Sequence, residues 1–167
     1  RVGIAHHPID LPESTTEVEL IDALVSLNND ETVTGVLTLM PLPSNLRAET
    51  VLEHLSPLKD VDGITPTNAG RLHMGLPSLR PSTPQGGIEL LDYFGIPLEG
   101  KEITVVGRSN VVGRPLASLL MQRNATVTIC HRKTRNLAAH TRSAEIVCLA
   151  AGSAHLLTPE MITPGAI

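Results

Sequence analysis

Thr104-Val105-Val106-Gly107-Arg108-Ser109-Asn110-Val111-Val112-Gly113-Arg114-Pro115 reads as an apolar strand that enters a glycine turn and continues at once into a helix. Such a junction gathers unpaired backbone N–H groups and the positive end of a helix at one point, where a pyrophosphate can sit. Gly107 suits the tight turn and Gly113 a close approach of helix to strand. Pro115 lies in the first helical turn, where its missing N–H costs nothing. The spacing departs from G-x-G-x-x-G, because Ser109 stands at the second glycine position and Gly113 comes one residue late. On this stretch alone, a dinucleotide-binding turn and a purely structural strand–helix turn both remain open.

The next strand bears on the choice. Thr126 to Cys130 is apolar and partly β-branched, and Arg132 and Lys133 follow it, about 20 residues beyond Gly113. A site for NAD places a carboxylate there for the ribose hydroxyls. A guanidinium instead pairs with the 2′-phosphate of NADP in a bidentate manner, where a carboxylate would repel it. Arg108 in the turn can reach the same group. The competing reading is three solvated loop cations; the match of position and charge favours NADP.

Working outward, Glu102 to Val106, Val112 to Arg123, Thr126 to Cys130, Asn136 to Ser143 and Ile146 to Ala151 alternate strand and helix. A helical turn at Pro159 to Ile162 follows, and Gly165-Ala-Ile167 looks like the start of a fourth strand. Upstream, Arg1 to Ala5 reads as a strand. Thr16-Glu-Val-Glu19 is a capping box opening a helix over 17–28, with Leu20, Leu24 and Leu27 on one face. Thr32 to Met40 reads as a strand stopped by Pro41-Leu-Pro43. Ser44 opens a second helix carrying Ala48, Val51, Leu52 and Leu55. Residues 56–85 read as a long, ordered and functional connection without regular structure, and Gly86 to Phe94 as a helix. The pattern predicts an α/β fold of two units. Residues 1–82 form the first, and 83–167 form a Rossmann-like NAD(P)-binding unit with a parallel sheet.

Composition narrows the function classes. With no Trp, one Tyr and one Phe, the core must be aliphatic, and there are no aromatic platforms for single-stranded nucleic acid. A net charge of −4 argues against nucleic-acid or membrane attraction. No apolar run approaches the length of a membrane span. Cys130 and Cys148 each sit in an apolar run and read as small buried hydrophobes of a reducing compartment. The 7 histidines fall in different elements without a ligand-like pair, so no metal site is expected. His131 lies beside Arg132, either near the cofactor ribose or at the strand surface.

Gly35-Val-Leu-Thr-Leu-Met-Pro41-Leu-Pro43, Lys59-Asp-Val-Asp-Gly63, Pro81-Ser-Thr-Pro84, Gly107-Arg-Ser-Asn-Val-Val-Gly113-Arg-Pro115 and Thr126-Val-Thr-Ile-Cys-His131 occur in this order. Together they resemble the bifunctional methylenetetrahydrofolate dehydrogenase/cyclohydrolase family, from about Val2 to Ile167. The resemblance implies NADP-dependent oxidation of 5,10-methylenetetrahydrofolate, then hydrolysis of the 5,10-methenyl product to 10-formyltetrahydrofolate. It implies that Asp62 holds the pterin ring, that Gly107, Arg108 and Ser109 line the cofactor phosphates, and that Asp60 is an ordinary loop residue. At Arg132, members carry Ser or Arg. A homodimer is also implied, cytoplasmic by default although relatives occur in mitochondria.

Two departures stand out. The family's catalytic lysine and its companion tyrosine lie upstream of Arg1, and a folate-contacting Pro- and Gly-rich segment lies beyond Ile167. The chain is therefore expected to be cut short at both ends, and inactive by itself. Leu39 stands where the family has the glutamine that cooperates with that lysine, which puts the hydrolysis step in question. A non-catalytic NADP-binding protein is the competing reading. A shikimate dehydrogenase-like oxidoreductase is disfavoured, because it leaves Asp60-Val-Asp62-Gly63 without a role.

Overall fold

The computed structural model describes residues 3–167. The element order is α1 (Glu17–Asn29), α2 (Ala48–Glu53), α3 (Pro66–His73), α4 (Ser82–Tyr93), β1 (Glu102–Val106), α5 (Gly113–Gln122), β2 (Thr126–Cys130), α6 (Leu137–Ser143) and β3 (Ile146–Leu149). A 3-10 turn at Pro159–Met161 follows.

The second half is built on a three-stranded parallel sheet of order β2-β1-β3. Val106 lies opposite Cys130 on one side and Leu149 on the other. Chain order thus reverses across β1, because β2 returns through α6 to the far side. Ligands of open parallel sheets bind at such a reversal, beyond the carboxyl ends of the strands. Both β1 and β2 have the bounds expected from their β-branched content. Buried Ile103, Val105, Leu116, Leu119, Leu120 and Ile146 form the core, joined by Leu72, Ile88 and Leu98. The two cysteines are free; Cys130 is buried and Cys148 partly so, and burial pushes both thiols up.

The first half is held differently. Its core is the small cluster of Leu24, Val36, Val51 and Leu55. The capping box of α1 forms as expected, with Glu19 N–H donating to the Thr16 hydroxyl at 3.3 Å and Thr16 N–H to the Glu19 carboxylate at 2.8 Å. Beyond that, side chains close the helix ends. Lys59 Nζ donates to the carbonyls of Leu27, Asn28 and Asp30 at 2.8, 2.8 and 2.7 Å, satisfying the end of α1 that has no intrahelical partner. Glu17 accepts from Arg47 N–H at 3.0 Å and so fixes the start of α2.

Several expectations change here. The strand over Thr32 to Met40 is a single parallel bridge between Val36 and Asp60. Residues 59–61 supply one rung, and no second neighbour extends it among the described residues; apolar content cannot reveal a missing partner. The strand expected over Arg1 to Ala5 falls partly outside the described residues, and Gly3 to Ala5 are not in a strand. The helix expected from Ser44 begins at Ala48, after a turn in which Leu46 N–H donates to Pro43 C=O at 3.0 Å. The connection over 56–85 contains α3, which has Pro at its first turn and Thr65 as its N-cap. Helix α4 starts at Ser82, four residues before expected, with Pro84 buried in its first turn. At Gly165 to Ile167 there is one rung, Ile167 N–H to Glu145 C=O at 3.0 Å and Val147 N–H to Ile167 C=O at 2.8 Å.

Helix α3 joins the halves. Its first turn is held by Asp60, and Leu72 at its other end is buried in the second core, where the Gln122 side chain donates to the Leu72 carbonyl. Among the described residues, no helix is long and apolar enough to cross a membrane.

Candidate functional site

The sheet ladder delivers the glycine turn to its place. Gly107 N–H donates to Cys130 C=O and Ala150 N–H to Val106 C=O, both at 2.8 Å, so the turn sits between the exits of β2 and β3. Gly107 has φ +137°, and a Cβ there would overlap the Ala150 carbonyl. Gly113 packs so closely that a Cβ would strike the Gly107 carbonyl. Each glycine thus has the reason given by the sequence, a bend for one and close contact for the other.

The helix start is less open than the spacing implied. Val112 and Gly113 N–H donate to Ser109 Oγ at 3.1 and 3.4 Å, and Arg114 N–H donates to Ser109 C=O at 3.1 Å. Those three amides are taken. The amides of Arg108, Ser109, Asn110 and Val111 donate to no group among the described residues, and all four residues are exposed. With its acceptor positions occupied, the Ser109 hydroxyl has its own proton left to donate outward. The arrangement is an exposed set of donors suited to phosphate oxygens.

Beside it, residues 131–134 form a turn after β2 with Arg132 and Lys133 at its exposed centre. Arg108, Arg132 and Lys133 form no ion pair among the described residues; the pairs present are Arg47–Glu17, Lys101–Glu145 and Arg123–Asp92. The turn after β2 carries no carboxylate.

From the first half, Lys59-Asp60-Val61-Asp62-Gly63 contributes Asp62 to a neighbouring cleft. Asp60 was expected to be an ordinary loop residue and is instead a buried structural carboxylate, 1% exposed. It accepts from Ile64 N–H at 3.2 Å, Thr65 N–H at 2.8 Å and Asn68 Nδ2 at 2.9 Å. The signal for it was Thr65-Pro66 five residues on, a helix start that needs a nearby acceptor. Gly63, at φ +61° against the Leu79 carbonyl, turns the chain so that Asp62 reaches a cleft. Burial holds the Asp62 carboxyl above the ordinary carboxylate range, and the nearby charge of Asp60 adds to this.

That cleft, about 290 Å³, is lined by Thr38, Leu39, Met40, Asp62, Ile64, Pro81 and Ser82 from the first half and by Thr83 and Val111 from the second. Asp62 and Leu39 therefore share one cavity with the glycine turn, which Val111 represents there. Gly107, Arg108, Ser109, Gly113 and Arg132 lie in or beside that turn at the carboxyl ends of β1 and β2. The lining by Ser82 and Thr83 was not anticipated, since nothing in an isolated Pro-Ser-Thr-Pro specifies what it faces. Thr38 Oγ1 is buried without a hydrogen-bond partner among the described residues. No three His, Cys, Asp or Glu side chains gather as metal ligands among the described residues.

Comparison with known proteins agrees in both halves. Residues 81–167 match the family described as tetrahydrofolate dehydrogenase/cyclohydrolase, NAD(P)-binding domain, and residues 1–62 match its catalytic domain. The bifunctional protein FolD of Wolinella succinogenes is 46% identical over 100% of this chain, which covers 58% of that protein. The crystal structure of the bifunctional FolD dehydrogenase/cyclohydrolase from Campylobacter jejuni superposes with a TM-score of 0.87 at 42% identity, covering 90% of this chain and 54% of that one. The Trypanosoma brucei methylenetetrahydrofolate dehydrogenase-cyclohydrolase, complexed with NADP cofactor and inhibitor, gives 0.86 at 33% identity over 92% of this chain and 53% of that one. The chain thus spans a little over half the length of these relatives.

Proposed function

We propose, from the premise that the chain belongs to the tetrahydrofolate dehydrogenase/cyclohydrolase family, that it carries the folate wall and the NADP turn of one active site. The reaction is oxidation of 5,10-methylenetetrahydrofolate to 5,10-methenyltetrahydrofolate, followed by hydrolysis to 10-formyltetrahydrofolate. The observation that carries this reading is the shared cleft, with an acceptor for a heterocycle on one wall and a dinucleotide turn on the other. Because the chain covers a little over half of its relatives, the activity is proposed for the protein in which these residues sit. Residues 1–82 are assigned to the folate side and 83–167 to the cofactor side.

The residues fit NADP. The amides of Arg108 to Val111 and the Ser109 O–H suit the diphosphate, and unpaired Arg132, helped by Arg108, suits the 2′-phosphate. Bound there, NADP supplies the hydride acceptor. Asp62 would accept hydrogen bonds from the amino and ring N–H groups of the pterin. Asp62 is half-buried in the cleft beside Met40, Ile64 and Pro81, and that partial burial strengthens the bond. Leu39 offers no hydrogen bond to a water attacking the methenyl carbon, so hydrolysis should be the slower of the two reactions.

A cytoplasmic homodimer completes the reading. Two free cysteines suit a reducing compartment. Exposed Leu90, Tyr93 and Phe94 fall on one face at the end of α4, an apolar surface of the kind a second copy covers.

The test is NADPH formation from 5,10-methylenetetrahydrofolate by the intact protein, alongside its Asp62→Asn variant. The wild type should turn over. The variant should raise the folate KM by about tenfold or more, the loss expected for a charge-assisted bond, with NADP affinity unchanged. A wild type that forms no NADPH sinks the proposal.

A further inference from the structure

The turn that carries Arg132 is closed by three bonds among its own members, and the Thr134 hydroxyl also meets the Cys130 thiol of β2. Thr134 N–H donates to His131 C=O at 2.7 Å, and His131 N–H donates to Thr134 Oγ1 at 2.8 Å. Lys133 N–H donates to His131 Nδ1 at 3.1 Å. Among the described residues, nothing outside the turn hydrogen-bonds to Arg132 or Lys133. The direction in which Arg132 leaves the backbone is therefore set by these three bonds. Nδ1 is the acceptor of the last of them. Geometrically, Nδ1 does for the amide two residues on what an Asn or Asp oxygen does in an Asx-turn.

We infer that His131 is a positioning residue for selection of the 2′-phosphate, its ring nitrogen locking the turn that aims the Arg132 guanidinium. The inference rests on the NADP reading proposed above. An arginine on a loose turn must be ordered when the phosphate arrives, and that cost is subtracted from affinity. A locked turn has met it beforehand. NAD has a hydroxyl where NADP has the phosphate, so it gains nothing from the lock. A histidine that merely supported the fold would affect both dinucleotides alike.

The experiment compares NADP and NAD binding to the intact wild-type protein, His131→Ala and His131→Asn by titration calorimetry. His131→Ala should weaken NADP by about three- to tenfold, the range for one lost hydrogen bond, and leave NAD unchanged. His131→Asn, whose Oδ1 can replace Nδ1, should restore the NADP:NAD ratio and keep the inference testable should the alanine variant fold poorly. An unchanged ratio in His131→Ala, an equal loss for both dinucleotides, or no rescue by Asn overturns the inference. A wild type with no preference for NADP refutes the cofactor reading itself, a different result from any of these.

Discussion

The two halves of this chain use their charged side chains in opposite ways. Between residues 17 and 60, Glu17, Lys59 and Asp60 are all engaged in closing helix ends, through bonds to backbone N–H and C=O groups. In the second half the parallel ladder satisfies the backbone, and Arg108, Arg132 and Lys133 stand unpaired at the carboxyl ends of the strands. The ion pair Lys101–Glu145 lies at the other end of the sheet, ahead of β1 and β3. At the strand ends the ladder leaves these three cations available to a ligand, whereas the loop-built first half uses Glu17, Lys59 and Asp60 to stay folded. Asp62, two residues beyond Asp60, closes no helix end and is the carboxylate that faces the cleft.

The contrast can be broken most directly by unfolding measurements. Asp60→Ala leaves three buried donors without an acceptor and should cost about 3 kcal/mol in urea denaturation. Leu120→Ala, in the sheet-backed core, should cost about the same by leaving a cavity. A cost below about 1 kcal/mol for Asp60→Ala would mean that the first half does not depend on its polar closures.

Next in size is Arg132→Glu. It should lower NADP affinity by about thirtyfold, in keeping with a lost charge-assisted pair, with NAD binding and thermal stability nearly unchanged. A fall in stability would show that the cations of the second half are structural after all.

The smallest effect concerns Asp62. Its carboxyl is held above the ordinary range when folded, so the native state keeps its proton to higher pH than the unfolded chain. The group is neutral in both states at acid pH, and it opposes folding increasingly as pH rises through its raised range. Asp62→Asn should therefore match the wild type in acid and become slightly more stable toward neutrality, in melts taken across that range. A gain that grows toward acid instead would contradict the assigned cause.

What could be read from the sequence follows the same division. The bounds of β1 and β2 were legible because alternating strand and helix imposes its own partners. The capping box of α1 was legible because both members lie within one turn. The strand over Thr32 to Met40 was not, since its apolar residues cover a helix pair rather than join a ladder. Helix α3 was not legible because its start, Thr65-Pro66, lies inside the Pro- and Gly-rich stretch 56–85 that reads as a connection. For the site, the glycine turn and Arg132 came from spacing, whereas Asp62 and Leu39 came from family resemblance. That Ser82, Thr83 and Val111 share a cavity with them depends on tertiary packing, which no local pattern encodes.

Helix α3 sets a dimension. Its start is fixed at Asp60, next to the cleft carboxylate, and its end is seated under α5, the helix that begins at the glycine turn. At 8 residues it spans about 12 Å. One added residue would turn its far end by about 100° and swing Leu72 off the core, so the helix cannot lengthen in small steps. The spacing between Asp60 and the start of the second core is therefore fixed by this one short helix, and change there has to come from side chains rather than from helix length.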